Sequence, residues 1–241
     1  MLLDETDIEQ MNRVFLAADP YSHGNLLLCS KAIDFLRDTA KLPDLDTVDD
    51  IAHMRLGVRL INDAGAFGKC ALAGYYQPAL AMIRDIVEVG FLLEVFAHDR
   101  SRLVAWHNAT DAERLRDWKP VKVREMLDKI SPADKEGRKD AYKFLSTHGT
   151  HVSPNAVHLI SPGNMTEVGP FPDKQRVALI TFDIAKFLGY ATAHFSKGVR
   201  SNGIIDSNRR LAFTASRVEF ALAFVAWRQD AAKQSGPHTI S

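Results

Sequence analysis

Apolar positions recur along most of the chain at three- and four-residue spacing, the period of an amphipathic helix. Ile8, Met11, Phe15 and Leu16 predict a first helix from about Glu5 to Ala18, which Asp19-Pro20 ends. Leu27, Ala32, Ile33, Phe35 and Leu36 predict a second from Leu26 to Leu42, stopped by Pro43. A third starts near Asp46 or Thr47 and runs through Ile51, Met54, Val58 and Ile61 to about Ala73. Gly65 and Gly68 lie inside it among alanines. Glycine in a helix interior costs about 1 kcal/mol against alanine, so close approach of a neighbouring helix is the expected compensation. Gly74 then suits a C′ position and Pro78 a first turn, making Gly74-Tyr75-Tyr76-Gln77 a tight connector between antiparallel helices.

The next segment, Pro78 to Asp99, is apolar all round, the signature of a central helix. It nevertheless carries Arg84, Glu88, Glu94 and His98. Arg84, Glu88, Phe91 and Val95 fall on one narrow stripe, with Ile86, Val89, Leu93 and Phe96 opposite. Charges in such surroundings must be paired or hydrogen-bonded. A polar constellation inside a helical core is therefore expected around Arg84 and Glu88.

Further on, Thr110-Asp111-Ala112-Glu113 has the form of a capping box, and Ser131-Pro132-Ala133-Asp134 that of a helix start. After Thr150 the periodicity lapses, and residues 155–168 around Pro162-Gly163-Asn164 predict a small hairpin or ordered loop. Two long amphipathic segments follow, one marked by Val177, Ile180, Ile184 and Leu188, the other by Leu211, Val218, Leu222 and Val225. The expected fold is all-α: one domain over residues 1–241, an antiparallel helical bundle with a small β-hairpin insertion and a flexible tail at 234–241.

Lysine plus arginine number 30 and aspartate plus glutamate 30, so the net charge is zero and argues against bulk attraction to nucleic acid or membrane. The basic run from Arg114 to Lys143 is interleaved with acids and reads as a solvated face. The best apolar run, Val89 to Ala97, is too short for a membrane span and contains Glu94. Cys29 and Cys70 lack motif spacing, and Met1-Leu2-Leu3 runs straight into the acidic Asp4, Glu5 and Asp7. Reduced thiols in a cytoplasmic protein are the expectation.

Four groupings could carry chemistry. Arg84 and Glu88 are spaced for an intrahelical pair, worth about 0.2–0.5 kcal/mol if exposed. Tyr142 and Ser146 share one side of a helix that Gly149 terminates, placing His148 and His151 at or beyond its end. Glu94 and His98 have metal-ligand spacing, but a lone pair of that kind reads better as helix-end packing; His148 and His151 would need further ligands that no second cluster supplies, so no metal or other cofactor is expected. Arg102 and His107 stand an arginine, four residues and a histidine apart. That spacing is similar to one used by HEPN ribonucleases, which implies a metal-independent RNA-cleaving alternative.

Taken in order, Leu72-x-Gly74-x-Tyr76-x-x-Ala79, Arg84-x-x-x-Glu88, and Tyr142-x-x-Leu145-Ser146 followed by His151 resemble a bacterial all-helical family known only as a domain of unknown function, distantly HEPN-like. The resemblance implies a helical fold with a polar cluster of those residues, and no particular activity. The leading expectation is a ligand-binding or regulatory protein whose pocket comprises Arg84, Glu88, Tyr142, Ser146 and His151, taking a small molecule or nucleic acid. The alternatives are ribonuclease or toxin chemistry at Arg102 and His107, or a purely structural cluster. Two long apolar C-terminal helices are compatible with a homodimer.

Overall fold

The computed structural model describes residues 4–161 and 169–234. Helices account for the ordered secondary structure, in the order α1 (Thr6–Ala18), α2 (Pro20–Ala40), α3 (Val48–Leu72), α4 (Tyr76–His98), α5 (Ser101–Asn108), α6 (Asp111–Asp117), α7 (Pro120–Ile130), α8 (Lys135–Leu145), α9 (Lys174–Gly198) and α10 (Ser207–Gln234). A π-helical turn, Ser146–Thr150, extends α8, and short 3₁₀ turns occupy Pro132–Asp134, Pro154–Leu159 and Ser201–Gly203. The all-α class is as expected.

Local chemistry sets most helix starts. Asp19 accepts the Ser22 N–H at 2.7 Å with Pro20 in the first turn, so α2 begins directly after α1 instead of at Leu26. Thr47 caps α3, and Asp173 caps α9. The Thr110–Glu113 capping box forms as expected, with both reciprocal bonds made. Gly74 has φ +82, where a side chain would be strained, and reverses the chain between α3 and α4.

Three expectations are corrected. Pro154–Leu159 is a 3₁₀ turn, and no strand occurs among the described residues; residues 162–168, the rest of the anticipated hairpin, lie outside them. Ser131 caps no helix, because Pro132–Asp134 winds as 3₁₀ before α8 starts at Lys135. Gly65 and Gly68 adjoin open space, whereas Gly57 is the α3 glycine that is closely approached: a Cβ there would meet the Phe195 ring at 2.7 Å.

The core is organised around α4, which lies along α9 and is flanked by α3, α7 and α8. Leu80, Ile83, Ile86 and Leu93 of α4 are wholly buried, as are Leu60 of α3 and Leu188 and Phe195 of α9. Each such side chain contributes about 1.5–3 kcal/mol of burial. Outside this centre, α2 packs between α9 and α10.

A buried ion cluster ties three helix ends together. Asp50, on the first turn of α3, is held by Arg100 at 2.8 Å and by Arg200, and accepts the Thr47 hydroxyl at 2.5 Å. Arg100 also donates to the Gly198 carbonyl at 2.6 Å, closing the C-terminus of α9. Burial alone would raise the Asp50 carboxyl, but the bonds from Arg200 and Thr47 and the two positive charges hold it below its ordinary value. His53, one turn later, stacks on Phe195 with ring centroids 4.6 Å apart, and its Nε2 lies 2.9 Å from the Phe195 carbonyl.

Candidate functional site

The polar cluster anticipated on α4 exists, and its parts come from four helices. Arg84 donates from Nη2 to the Tyr142 hydroxyl at 2.7 Å and from Nε to Ser146 Oγ at 3.2 Å. The same Nη2 lies 2.8 Å from Glu88 Oε1, and the Tyr142 hydroxyl in turn donates to that oxygen at 3.3 Å. Arg84, Tyr142 and Glu88 thus close a ring of charge-assisted bonds, each polarising the next. The Arg84 and Glu88 side chains keep 24% and 27% of their surface exposed, so the cluster borders solvent instead of lying sealed in the core.

The two i, i+4 pairs meet because α8 lies across α4 with matching spacing: Arg84 and Glu88 face Tyr142 and Ser146. The end of α8 is pinned by its π turn. Gly149 sits on the α4 backbone, where a Cβ would come within 3.0 Å of Ala81 N, and its carbonyl accepts from the Gln77 amide. Only a residue without a side chain allows that contact, and a π turn at such a place widens the helix to reach it. Farther along, Arg138 anchors α8 to α7 through Asp128 at 2.9 Å and the Ser131 carbonyl at 2.7 Å.

His151 is not delivered to the cluster. The π turn carries it outward, leaving it exposed, with only its backbone N–H tied back to the Ser146 carbonyl at 2.9 Å. Among the described residues its ring makes no hydrogen bond or ion pair. His148 is occupied differently: its Nδ1 lies 2.9 Å from the Phe144 carbonyl and its ring packs, tilted, against that of Phe144.

Other residues join the cluster that its sequence did not single out. Arg124 of α7 lies 3.9 Å above the Tyr142 ring centroid, on a ring that Arg84 also approaches at 5.1 Å. Its Nη1 is buried with no hydrogen-bond partner among the described residues, and no carboxylate among them pairs with it. On the α3 side, Arg59 grips Asp85 with two bonds of 2.6 Å, and Asp63 neighbours that carboxylate. Burial and the neighbouring Asp85 push the Asp63 carboxyl well up, while the bonds from Arg59 overcome burial to hold Asp85 down. Asp63 Oδ2 is buried and unpartnered.

The chain matches no family model, and no curated protein or solved structure is significantly similar to it. The site must be judged on its own geometry.

Arg102 and His107, five apart on α5, stand about 140° apart around the helix axis. Arg102 is taken up by Asp99 at 3.3 Å and by the Met126 sulfur at 3.2 Å. Glu94 approaches His194 of α9 at 3.9 Å, not His98. Burial pushes His194 down to about 4, so it stands there as a neutral ring. No group of three metal-ligating side chains occurs among the described residues. Cys29 and Cys70 are free, and burial pushes the Cys29 thiol up to about 12, which keeps it unreactive. No helix is long and apolar enough to cross a membrane, among the described residues.

Proposed function

We propose that the face formed by α4, α7 and α8 binds a small anionic ligand bearing a carboxylate or phosphate, and that the protein acts as a binding or regulatory module. Arg124 carries this reading. Its guanidinium is oriented by stacking on Tyr142, yet a buried N–H is left without an acceptor. An unmade bond at a buried charged group costs about 1–3 kcal/mol or more, which an incoming anion recovers. Arg84 is already neutralised by Glu88, so Arg124 supplies the uncompensated charge.

Binding is favoured over catalysis by the state of Ser146. Its hydroxyl oxygen accepts from Arg84, and neither nearby histidine addresses it: His148 turns to Phe144 and His151 to solvent. A serine nucleophile needs a base within hydrogen-bond reach. Mg-free titration calorimetry with inorganic phosphate, pyrophosphate, citrate and a nucleoside monophosphate tests the proposal. At least one should bind the wild type, and at least tenfold more weakly to Arg124→Met. No binding by any of the four, or equal binding to the variant, would discard it.

A further inference from the structure

The last helix is apolar on two opposite faces, and the fold uses one. Phe213, Phe220 and Trp227, seven residues apart, point inward: the two phenylalanines pack on Phe35, and Trp227 packs on Phe182 and donates to Asn25 at 2.7 Å. The opposite face carries Leu211, Ala215, Val218, Leu222 and Val225, then Gln229 and Ala232. Leu211 is 71% exposed, Leu222 65%, Val225 52% and Val218 50%. α10 rests along α2 and only lightly on α9, and nothing among the described residues covers this strip.

Its spacing is informative. The steps run four, three, four, three, four, three along the whole helix, the 3.5-residue repeat of a two-helix seam. A helix that merely covers a globular core follows a broader stripe of period 3.6. The flanks of the strip are small or sparsely charged: Ala212, Glu219, Ala226 and Lys233 on one side, Thr214, Ala221 and Arg228 on the other. We infer that this strip is a self-complementary interface, by which α10 pairs antiparallel with α10 of a second copy of the chain.

A second copy is the occupant the pattern favours, because a heptad seam needs a partner of the same period and this helix supplies one. A two-fold axis makes the contact isologous and closed. Charge selects the direction. Parallel pairing sets Arg228 beside Lys233 of the second copy, a like-charge contact at flanking positions. In the antiparallel register that puts Leu222 against Val225 of the second copy, Arg228 faces an alanine, and Glu219 lies between Ala226 and Lys233 of the other chain. Glu219 is already steadied from within its own chain by Lys31 at 2.8 Å. A contact over a 28-residue helix is about 40 Å long. That places it at the small end of specific interfaces, so the dimer should dissociate in the micromolar range.

Sedimentation equilibrium of the full chain from about 2 to about 200 μM reads the assembly directly. The wild type should pass from monomer to dimer across that range. Leu222→Glu should remain monomeric throughout, with unchanged far-UV circular dichroism because the side chain it replaces is solvent-exposed. Spin labels at Thr214→Cys, with Cys29 and Cys70 replaced by serine, report direction. In the antiparallel register the labelled positions are offset by about 19 residues, roughly 29 Å along the axis; a parallel pair brings them within about 15 Å. A monomer at every concentration, a dimer that survives Leu222→Glu, or a short label distance would overturn the inference.

Discussion

His53 should make this protein sensitive to mild acid, and the reason is visible in its surroundings. Its Nε2 must carry the proton to donate to the Phe195 carbonyl, which leaves Nδ1 as a bare lone pair, buried and without a partner. A second proton would have to be placed on Nδ1, where no acceptor meets it and where Arg100 adds a repelling charge. Burial foremost, and Arg100 as well, therefore push His53 down from 6.5 to about 4, against the opposing influence of the Phe195 carbonyl and Asp50. In the unfolded chain the ring titrates near 6.5. Because the folded value is the lower one, the unfolded state takes up the proton first. Stability is then full above about pH 6.5 and declines as pH falls from there toward about 4. At pH 5 the unfolded state has gained about 1.5 pH units of protonation free energy that the native state has not, or roughly 2 kcal/mol at 1.36 kcal/mol per unit.

Urea unfolding followed by circular dichroism at pH 7.5 and pH 5 measures that loss. His53→Gln retains an amide donor for the Phe195 carbonyl but does not titrate. The variant should be the less stable protein at pH 7.5, since the stack on Phe195 is weakened. Its decline between the two pH values should nevertheless be smaller than that of the wild type by roughly 2 kcal/mol. His194, also held down by burial, contributes equally to both proteins and cancels in the difference. Parallel pH dependences for wild type and variant would refute the argument that His53 stays neutral in the fold.

Three further outcomes follow from the same structure. Tyr142→Phe removes the hydroxyl that joins Arg84 to Glu88 and should cost about 1–2 kcal/mol, with a coupling of at least about 0.5 kcal/mol to Arg84→Met in a double-mutant cycle of denaturant midpoints. Gly149→Ala drives a methyl into the α4 backbone at Leu80 and Ala81 and should cost about 1–3 kcal/mol in thermal unfolding, whereas Gly65→Ala, facing open space within α3, should be neutral or stabilising by up to about 1 kcal/mol. Asp50→Asn leaves Arg100 and Arg200 facing each other without their shared carboxylate, and calorimetry should show a loss of about 3 kcal/mol at neutral pH; since the Asp50 carboxyl is held below its ordinary value, that loss should shrink as pH falls through the folded value.

Much of this was written locally in the chain. The helix that is apolar on every side but carries Arg84 and Glu88 had to be central, and its charges had to find partners; periodicity and the cost of burying charge suffice for both statements. The pairing with Tyr142 and Ser146 was legible for a related reason, since two pairs at the same four-residue spacing can face each other across a helix crossing. Caps such as Thr110–Glu113 depend on neighbours three residues away and are equally readable. What the tertiary structure alone decided involves partners far apart in sequence. Asp63 looks like any solvated acid on α3 until Asp85 is brought against it, and Arg124 looks like one of many cations in a mixed-charge stretch until it comes to rest on Tyr142. His151 was misjudged because its position beyond the end of α8 depends on how Gly149 seats on the α4 backbone, a contact between residues far apart in sequence. The hydrophobic pattern of α10 shows that both faces are apolar, but only packing determines which one the fold consumes and which one it leaves exposed.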